Sequence, residues 1–214
     1  MKPNKKEALT QFHRENIIKA AERLFIANGI QKTTMDDISK EAGYSKSTVY
    51  VYFQSKEEIC NAISLSGMVL LKEQILNAVS TSQDFFKRYY AMCNAVVFFQ
   101  ETYPLHFASL LDEIDMRIDS EQAPPVLRDI FLAGEELNGV IYDFIKQGMQ
   151  SDILRQDILL PQSVFVFWSS LSGIVRMAAQ KEAYIEKTME ISKLKFLEYG
   201  FDILLRAFLK NNLE

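Results

Sequence analysis

Five polar side chains within seven residues form the most chemically distinctive stretch of the chain. Lys46, Ser47, Thr48, Tyr50 and Tyr52 follow the glycine of AGYSKSTVYVYFQSKEEI, residues 42–59. Ammonium, hydroxyl and phenol groups all hydrogen-bond to phosphate oxygens or to base edges. Two interpretations are open from composition alone: a solvated helix end, or a surface that contacts an anionic partner.

Punctuation around this stretch predicts three short helices. The first ends at Asn28-Gly29, and the second begins at Thr33-Thr34 and stops at Gly43. Ser45 is expected to cap a third helix over 46–53, in which Val49 and Phe53 form the buried pair. Short helices joined by a glycine-containing turn are typical of a helix-turn-helix unit.

The third helix is suited to the major groove of DNA. Lys46, Ser47 and Tyr50 share the side opposite the buried pair, and Thr48 and Tyr52 flank them. Lysine can reach a guanine edge or a phosphate, and a tyrosine ring can contact a thymine methyl group. Ser55 and Glu58 have the spacing of a capping box for a fourth helix.

Charge and composition limit the partners of the chain. The 214 residues carry a net charge of −4, yet residues 1–55 sum to +3 and residues 56–214 to −7. Only the N-terminal part is therefore expected to meet a polyanion. Two cysteines, Cys60 and Cys93, and a charged N-terminus without an apolar run predict a cytoplasmic protein without a membrane partner.

The remaining sequence predicts long helices and no sheet. Their expected ranges are 56–79, 82–102, 104–118, one from Pro125 to about 148–152, 161–183 and 188–209. We therefore predict an all-α protein of about nine helices. Residues 1–55 are expected to form a DNA-binding domain, and 56–214 a larger ligand-binding and dimerisation domain.

The block TTMDDISKEAGYSKSTVYVYFQSKEEI resembles the DNA-binding signature of the TetR family of transcriptional regulators. The similarity covers roughly residues 13–60. It implies a helix-turn-helix unit followed by a helical domain that binds a small molecule and dimerises. The function expected from it is a ligand-responsive regulator, commonly a repressor, that binds a pseudo-palindromic operator as a homodimer.

The resemblance assigns individual DNA contacts. Base or groove contacts are expected from Lys46, Ser47, Thr48 and Tyr50, and phosphate contacts from Thr34, Tyr52 and Lys56; Ser45, at the start of the third helix, completes the set. Asp36 stands where some family members have a base-reading cation, so DNA shape is expected to contribute to recognition. Lys2, Lys5 and Lys6 form a basic arm that is either a phosphate contact or a solvated terminus.

Aromatic residues suggest where an effector would bind. The expected lining is Phe86, Tyr89, Tyr90, Gln100, Phe107 and Tyr142, which favours an apolar or aromatic small molecule. Aromatic residues at helical spacing also form ordinary core, and that alternative stays open for each of them. Asp112, Asp115 and Asp119 share a helix face opposite apolar residues and are expected to face water.

Other function classes find little support. His13 and His106 are the only histidines, and neither has the Glu-x-x-His spacing of a di-metal carboxylate site. Nucleophile, phosphate-loop and dinucleotide motifs are missing from the sequence, so neither an enzyme nor a cofactor is predicted. The last two predicted helices are strongly apolar and are expected to form the homodimer interface. A DNA-binding protein without an effector, or an activator, remains the alternative.

Overall fold

The computed structural model describes residues 5–112 and 124–210, and these ranges are helical without a strand. Ten helices follow in order: α1 Lys5–Asn28, α2 Met35–Ala42, α3 Lys46–Tyr52, α4 Lys56–Ser80, α5 Phe85–Thr102, α6 Pro104–Ser109, α7 Pro125–Gln150, α8 Leu160–Gln180, α9 Glu182–Thr188 and α10 Lys193–Phe208. The all-α prediction is confirmed.

Two compact units divide the chain. The first contains 1–67 with 105–131, and the second contains 68–104 with 132–214. The chain passes between the units three times, and the first passage, at residues 67 and 68, lies inside α4. The first unit thus contains 56–67, beyond the predicted boundary at residue 55, which stays a prediction.

The first unit is built around one apolar cluster. Eight side chains from α1 to α4 are at most 4% exposed: Ile17, Ala21, Phe25, Ile38, Val49, Phe53, Ile59 and Ile63. Leu105, from the separate segment of this unit, packs against the same cluster. The predicted buried pair Val49 and Phe53 is confirmed, since both side chains are fully buried.

The second unit is held by close helix contacts. A methyl group added at Gly200 would lie 2.8 Å from Ile174, so the glycine allows α8 and α10 to approach closely. At Gly148 it would meet Leu154 and Phe85 at 2.7 Å. The Phe85 and Phe144 rings stack 4.6 Å apart. The chain after α7 pairs with the end of α10, where Arg155 N donates to Phe208 O at 3.0 Å.

Several predicted helix ends were wrong because local caps override periodicity. α5 begins after Asp84, whose carboxylate accepts from Lys87 N at 2.8 Å, and not at Ser82. α6 ends at Ser109, and residues 110–112 form a turn and a bend. The rest of the predicted range, with Asp115, lies outside the described residues, as do Asp119 and Lys2 of the basic arm.

The predicted helices after Pro161 also differ from the structure. The helix expected over 161–183 ends at Gln180, and the separate α9 follows. α10 begins after its N-cap Ser192, and Glu190 just before it has a left-handed φ of 57°. α4 is long and apolar enough to cross a membrane. Core helices of soluble proteins also meet this criterion of length and composition.

Candidate nucleic-acid interface

Helix α2, which precedes the turn to α3, is capped at both ends. Thr34 Oγ1 accepts from Asp37 N at 3.2 Å, and Asp37 Oδ2 accepts from Thr34 N at 3.0 Å, which completes a capping box. The Thr34 hydroxyl also donates to Asp37 Oδ2 at 2.6 Å, and this bond, together with the one from Thr34 N, lowers the pKa of Asp37. Gly43 ends α2 with a φ of 72°, a conformation that favours glycine.

A hydroxyl cluster begins α3. Ser45 Oγ accepts from Thr48 N at 3.1 Å and lies 2.9 Å from Ser47 Oγ and 2.8 Å from Thr48 Oγ1. Three predicted contact residues therefore already share one network. Ser45 is the N-cap of α3, so its first role is to satisfy an open backbone N–H of the helix.

The outer side of α3 faces away from the apolar cluster. Lys46, Ser47 and Val51 are exposed, while Thr48, Tyr50 and Tyr52 are half-buried. The predicted contact residues of this helix are thus brought together on a surface only seven residues long. Val51 was not among the sequence-predicted contacts, although its position one turn after Ser47 could have indicated it.

Lys46 is paired with an acid of its own chain. Its Nζ lies 2.7 Å from Asp36 Oδ1 on α2, and both side chains are more than half exposed. The hydrogen bond that Lys46 donates to the Asp36 carboxylate raises the pKa of Lys46. A base or phosphate that binds the Lys46 ammonium group must therefore compete with Asp36.

Lys56 anchors the turn before α2. Its Nζ donates to Ile30 O at 2.7 Å and to Thr33 O at 2.9 Å. An ammonium group has three hydrogens, so one remains for a phosphate. Next to it, the predicted capping box at α4 is only partly formed: Ser55 Oγ accepts from Glu58 N, but the Glu58 carboxylate accepts from Gln54 N.

Helix α1 supports the end of α3 through residues that sequence analysis did not identify. Arg14 donates to Tyr52 O at 2.5 Å, and its guanidinium lies 4.1 Å from the centre of the Phe53 ring. His13 Nδ1 lies 2.7 Å from Tyr44 OH. These contacts join residues that are distant in sequence, so no local sequence pattern predicts them.

The sequence comparisons agree with this geometry. Residues 17–63 match the family of bacterial regulatory proteins, tetR family. Residues 17–63 therefore carry the N-terminal regulatory segment of the TetR family.

Curated relatives of the chain are similar mainly in the N-terminal part. HTH-type transcriptional regulator TtgR of Pseudomonas putida is 40% identical over 50 residues, 23% of this chain and 24% of that protein. YhgD, an HTH-type transcriptional regulator of Bacillus subtilis, is 30% identical over 89 residues. That match covers 42% of this chain and 47% of YhgD. The chain therefore spans about half the length of YhgD and about a quarter of the length of TtgR.

Solved structures share the fold over nearly the whole chain. The ketosteroid transcriptional regulator KstR2 of Mycobacterium tuberculosis has a TM-score of 0.68 at 18% identity, covering 92% of this chain and 95% of that one. A Rhodococcus protein of unknown function has a TM-score of 0.73 at 16% identity, with the same coverage. These likenesses show a shared all-helical fold, and the similarity to known regulators in sequence is confined to the N-terminal part.

The predicted effector residues fall in both units and differ in exposure. Phe107 belongs to the first unit, and the other five belong to the second. Phe86 is exposed, and Gln100 and Tyr142 are half-buried. Among the described residues, a narrow apolar cleft of about 10 Å³ has room for about one water molecule. Of the predicted set, only Tyr89 lines this cleft.

Two tyrosines of the set are bonded to α10. Tyr89 OH donates to Phe201 O at 2.7 Å, and Tyr90 OH donates to Asp202 Oδ1. Burial, together with the Asp202 contact, raises the pKa of Tyr90 to about 12; burial also raises the pKa of Tyr89. Both phenols are thus neutral donors that tie α5 to α10.

The outer sides of α8 and α10 carry exposed apolar residues. On α8, Phe165, Ser169, Gly173 and Met177 recur every fourth residue; Phe165 is 55% and Met177 48% exposed. A methyl group added at Gly173 would meet nothing within 4 Å. The small residue at this position is therefore not required by packing among the described residues.

Proposed function

We propose that this TetR family regulator is a repressor that binds a pseudo-palindromic operator as a homodimer and is released by a small apolar or aromatic effector. It acts in the cytoplasm. The observation that carries the DNA-binding part is the α3 surface, where Lys46, Ser47, Thr48 and Tyr50 lie on one short helix capped by Ser45. A single seven-residue helix offers few base contacts, and a two-fold dimer doubles them.

Operator binding is tested with DNA selected from a random-sequence pool by the wild-type protein. Tyr50→Ala should weaken specific binding by about 1–3 kcal/mol if the ring contacts a base. Lys46→Ala should also weaken specific binding. Lys40→Ala removes an exposed lysine of α2 and serves as the charge control. Unchanged operator affinity in both α3 variants would show that α3 is not the reading helix.

The homodimer is proposed to form through α8 and α10. The support is the exposed apolar stripe on α8 and the exposed Tyr199 and Ile203 on α10, at 67% and 50%. Contiguous exposed apolar surface is commonly an interaction site. Leu205 is buried and lines the cleft of its own unit, so it is not a suitable interface probe.

Gly173 provides a specific test of this interface. Gly173→Leu should leave the unfolding of one subunit nearly unchanged, since its Cβ position is open, but should push two opposed α8 helices apart. Gly148→Leu is the contrasting variant, because its Cβ would clash inside the unit. Sedimentation of the wild type as a monomer at micromolar concentration would refute the interface.

The effector is proposed to bind in the second unit. The apolar cleft lined by Phe85, Tyr89, Phe144 and Phe167 is the starting point, and it must widen to admit a ligand. Widening would disturb the Tyr89 and Tyr90 hydrogen bonds to α10. A ligand that binds the widened state more tightly than the operator-bound state shifts the population towards the widened state. For this shift to release DNA, the spacing of the two α3 helices must differ between the two states.

A regulator without an effector is the second candidate. It is favoured by the small size of the cleft and by the use of both tyrosine hydroxyls within the unit. Mass spectrometry of small molecules that co-purify with the protein, followed by ligand titration with and without operator, separates the two. Ligand and operator must weaken each other by the same factor if the effector proposal holds. Transcription in a reporter strain then distinguishes a repressor from an activator.

A further inference from the structure

Val51 is the most exposed large apolar side chain among the described residues. Its side chain is 75% exposed, compared with 67% for Tyr199 and 66% for Ile26. It lies in α3, directly between the half-buried Tyr50 and Tyr52. The fold leaves this side chain in water.

Folding gives no reason for a valine at this position. β-Branched residues are weaker helix formers than alanine because their χ1 is restricted. The apolar cluster of the first unit takes Val49 and Phe53 from the same helix and does not include Val51. A residue that costs helix stability and buries little apolar surface is better explained by what the helix contacts.

The neighbours of Val51 on α3 are the proposed DNA contacts. Ser47 lies one turn before it, and Lys46 and Tyr50 complete the same exposed side. In the major groove, the one apolar group that a base pair offers is the C5-methyl group of thymine. Valine has no hydrogen-bond donor or acceptor, so it cannot serve as a phosphate ligand.

We infer that Val51 is a specificity-determining residue that contacts a thymine methyl group in each operator half-site. This inference rests on the proposed role of α3 as the reading helix. Lys46 and the hydroxyls would read polar base edges or phosphates, and Val51 would add an apolar preference for thymine. Burying one methyl group favours thymine over uracil by about fourfold per half-site.

The test uses full-length protein and a duplex selected from a random pool. Each thymine of the selected site is replaced in turn by deoxyuridine, which removes only the methyl group. The wild type should lose about fourfold in affinity at one thymine per half-site and about 15-fold when both half-sites are changed. Val51→Ala should bind the thymine and uracil duplexes equally.

Two controls make the result specific. Ile26→Ala removes a comparably exposed apolar side chain of α1 and should keep the full preference for thymine. Lys46→Ala should weaken binding but keep the same preference. The inference is overturned if the wild type ignores every thymine methyl, or if Val51→Ala retains the preference. Failure to select any sequence from the pool would instead refute the proposed operator binding.

Discussion

Lys56 should stabilise the first unit independently of DNA. Replacing it by methionine keeps most of the apolar stem and removes the two hydrogen bonds from Nζ to Ile30 O and Thr33 O. Bonds from a charged donor are worth roughly 1.5–3 kcal/mol each when buried, but the Lys56 side chain is only partly buried. We expect a total loss of about 1–2 kcal/mol in the free energy of unfolding.

Urea unfolding followed by two signals locates this loss. Far-ultraviolet circular dichroism reports both units, whereas fluorescence of Trp168, the single tryptophan, reports the second unit. Lys32→Met, an exposed lysine of the same turn, is the matched control. If Lys56→Met and Lys32→Met unfold at the same urea concentration as the wild type, the two hydrogen bonds do not stabilise the turn.

The salt dependence of DNA binding reports the third ammonium hydrogen of Lys56. If this hydrogen reaches a phosphate, Lys56→Met should reduce the slope of log affinity against log salt by about 0.9 per subunit. An unchanged slope together with lower stability would assign Lys56 a positioning role only. The two measurements therefore separate an anchor of the turn from a DNA ligand.

Three further changes test other contacts. Phe165→Asp on α8 should convert the dimer to a monomer in sedimentation, whereas Phe98→Asp, equally exposed on α5, should not; equal effects would argue against an α8 interface. Desolvation lowers the pKa of His106 below 6.5, so the unfolded chain takes up the proton first and stability should fall as pH drops below 6.5. The Glu22 carboxylate lies 3.3 Å from His106, has a raised pKa and acts in the opposite direction. His106→Gln should reduce the fall seen in unfolding curves, and an unchanged fall would contradict this account. Asp36→Asn frees Lys46 and should strengthen binding to random-sequence DNA; weaker binding in a titration would contradict that account.

Local rules predicted the DNA-binding unit well. Thr34, Gly43 and Ser45 cap α2 and α3 as expected, because a cap depends on residues within three or four positions. The Val49 and Phe53 pair followed from helical spacing for the same reason. The TetR family assignment rests on this stretch, where residue types and spacing are most specific.

Contacts between distant residues could not be predicted. The pairing of Lys46 with Asp36 depends on the angle between α2 and α3, and the sequence of neither helix predicts that angle. Tyr89 and Tyr90 were expected to orient a ligand, yet in the structure they bond to α10, more than a hundred residues later. Sequence spacing identifies which side of a helix is apolar but not which partner covers it.

The packing of Leu105 against the cluster around Ile63 affects how regulators of this kind can be recombined. A chimera joined at residue 55 would transfer the reading helix but leave behind Ile59, Ile63 and Leu105, three members of the surroundings that hold it. The recipient would have to supply matching side chains at each of these places. A graft that also carries 56–67 and residue 105 keeps the apolar cluster of the donor's first unit together. A new DNA specificity would then not have to come with a less stable first unit.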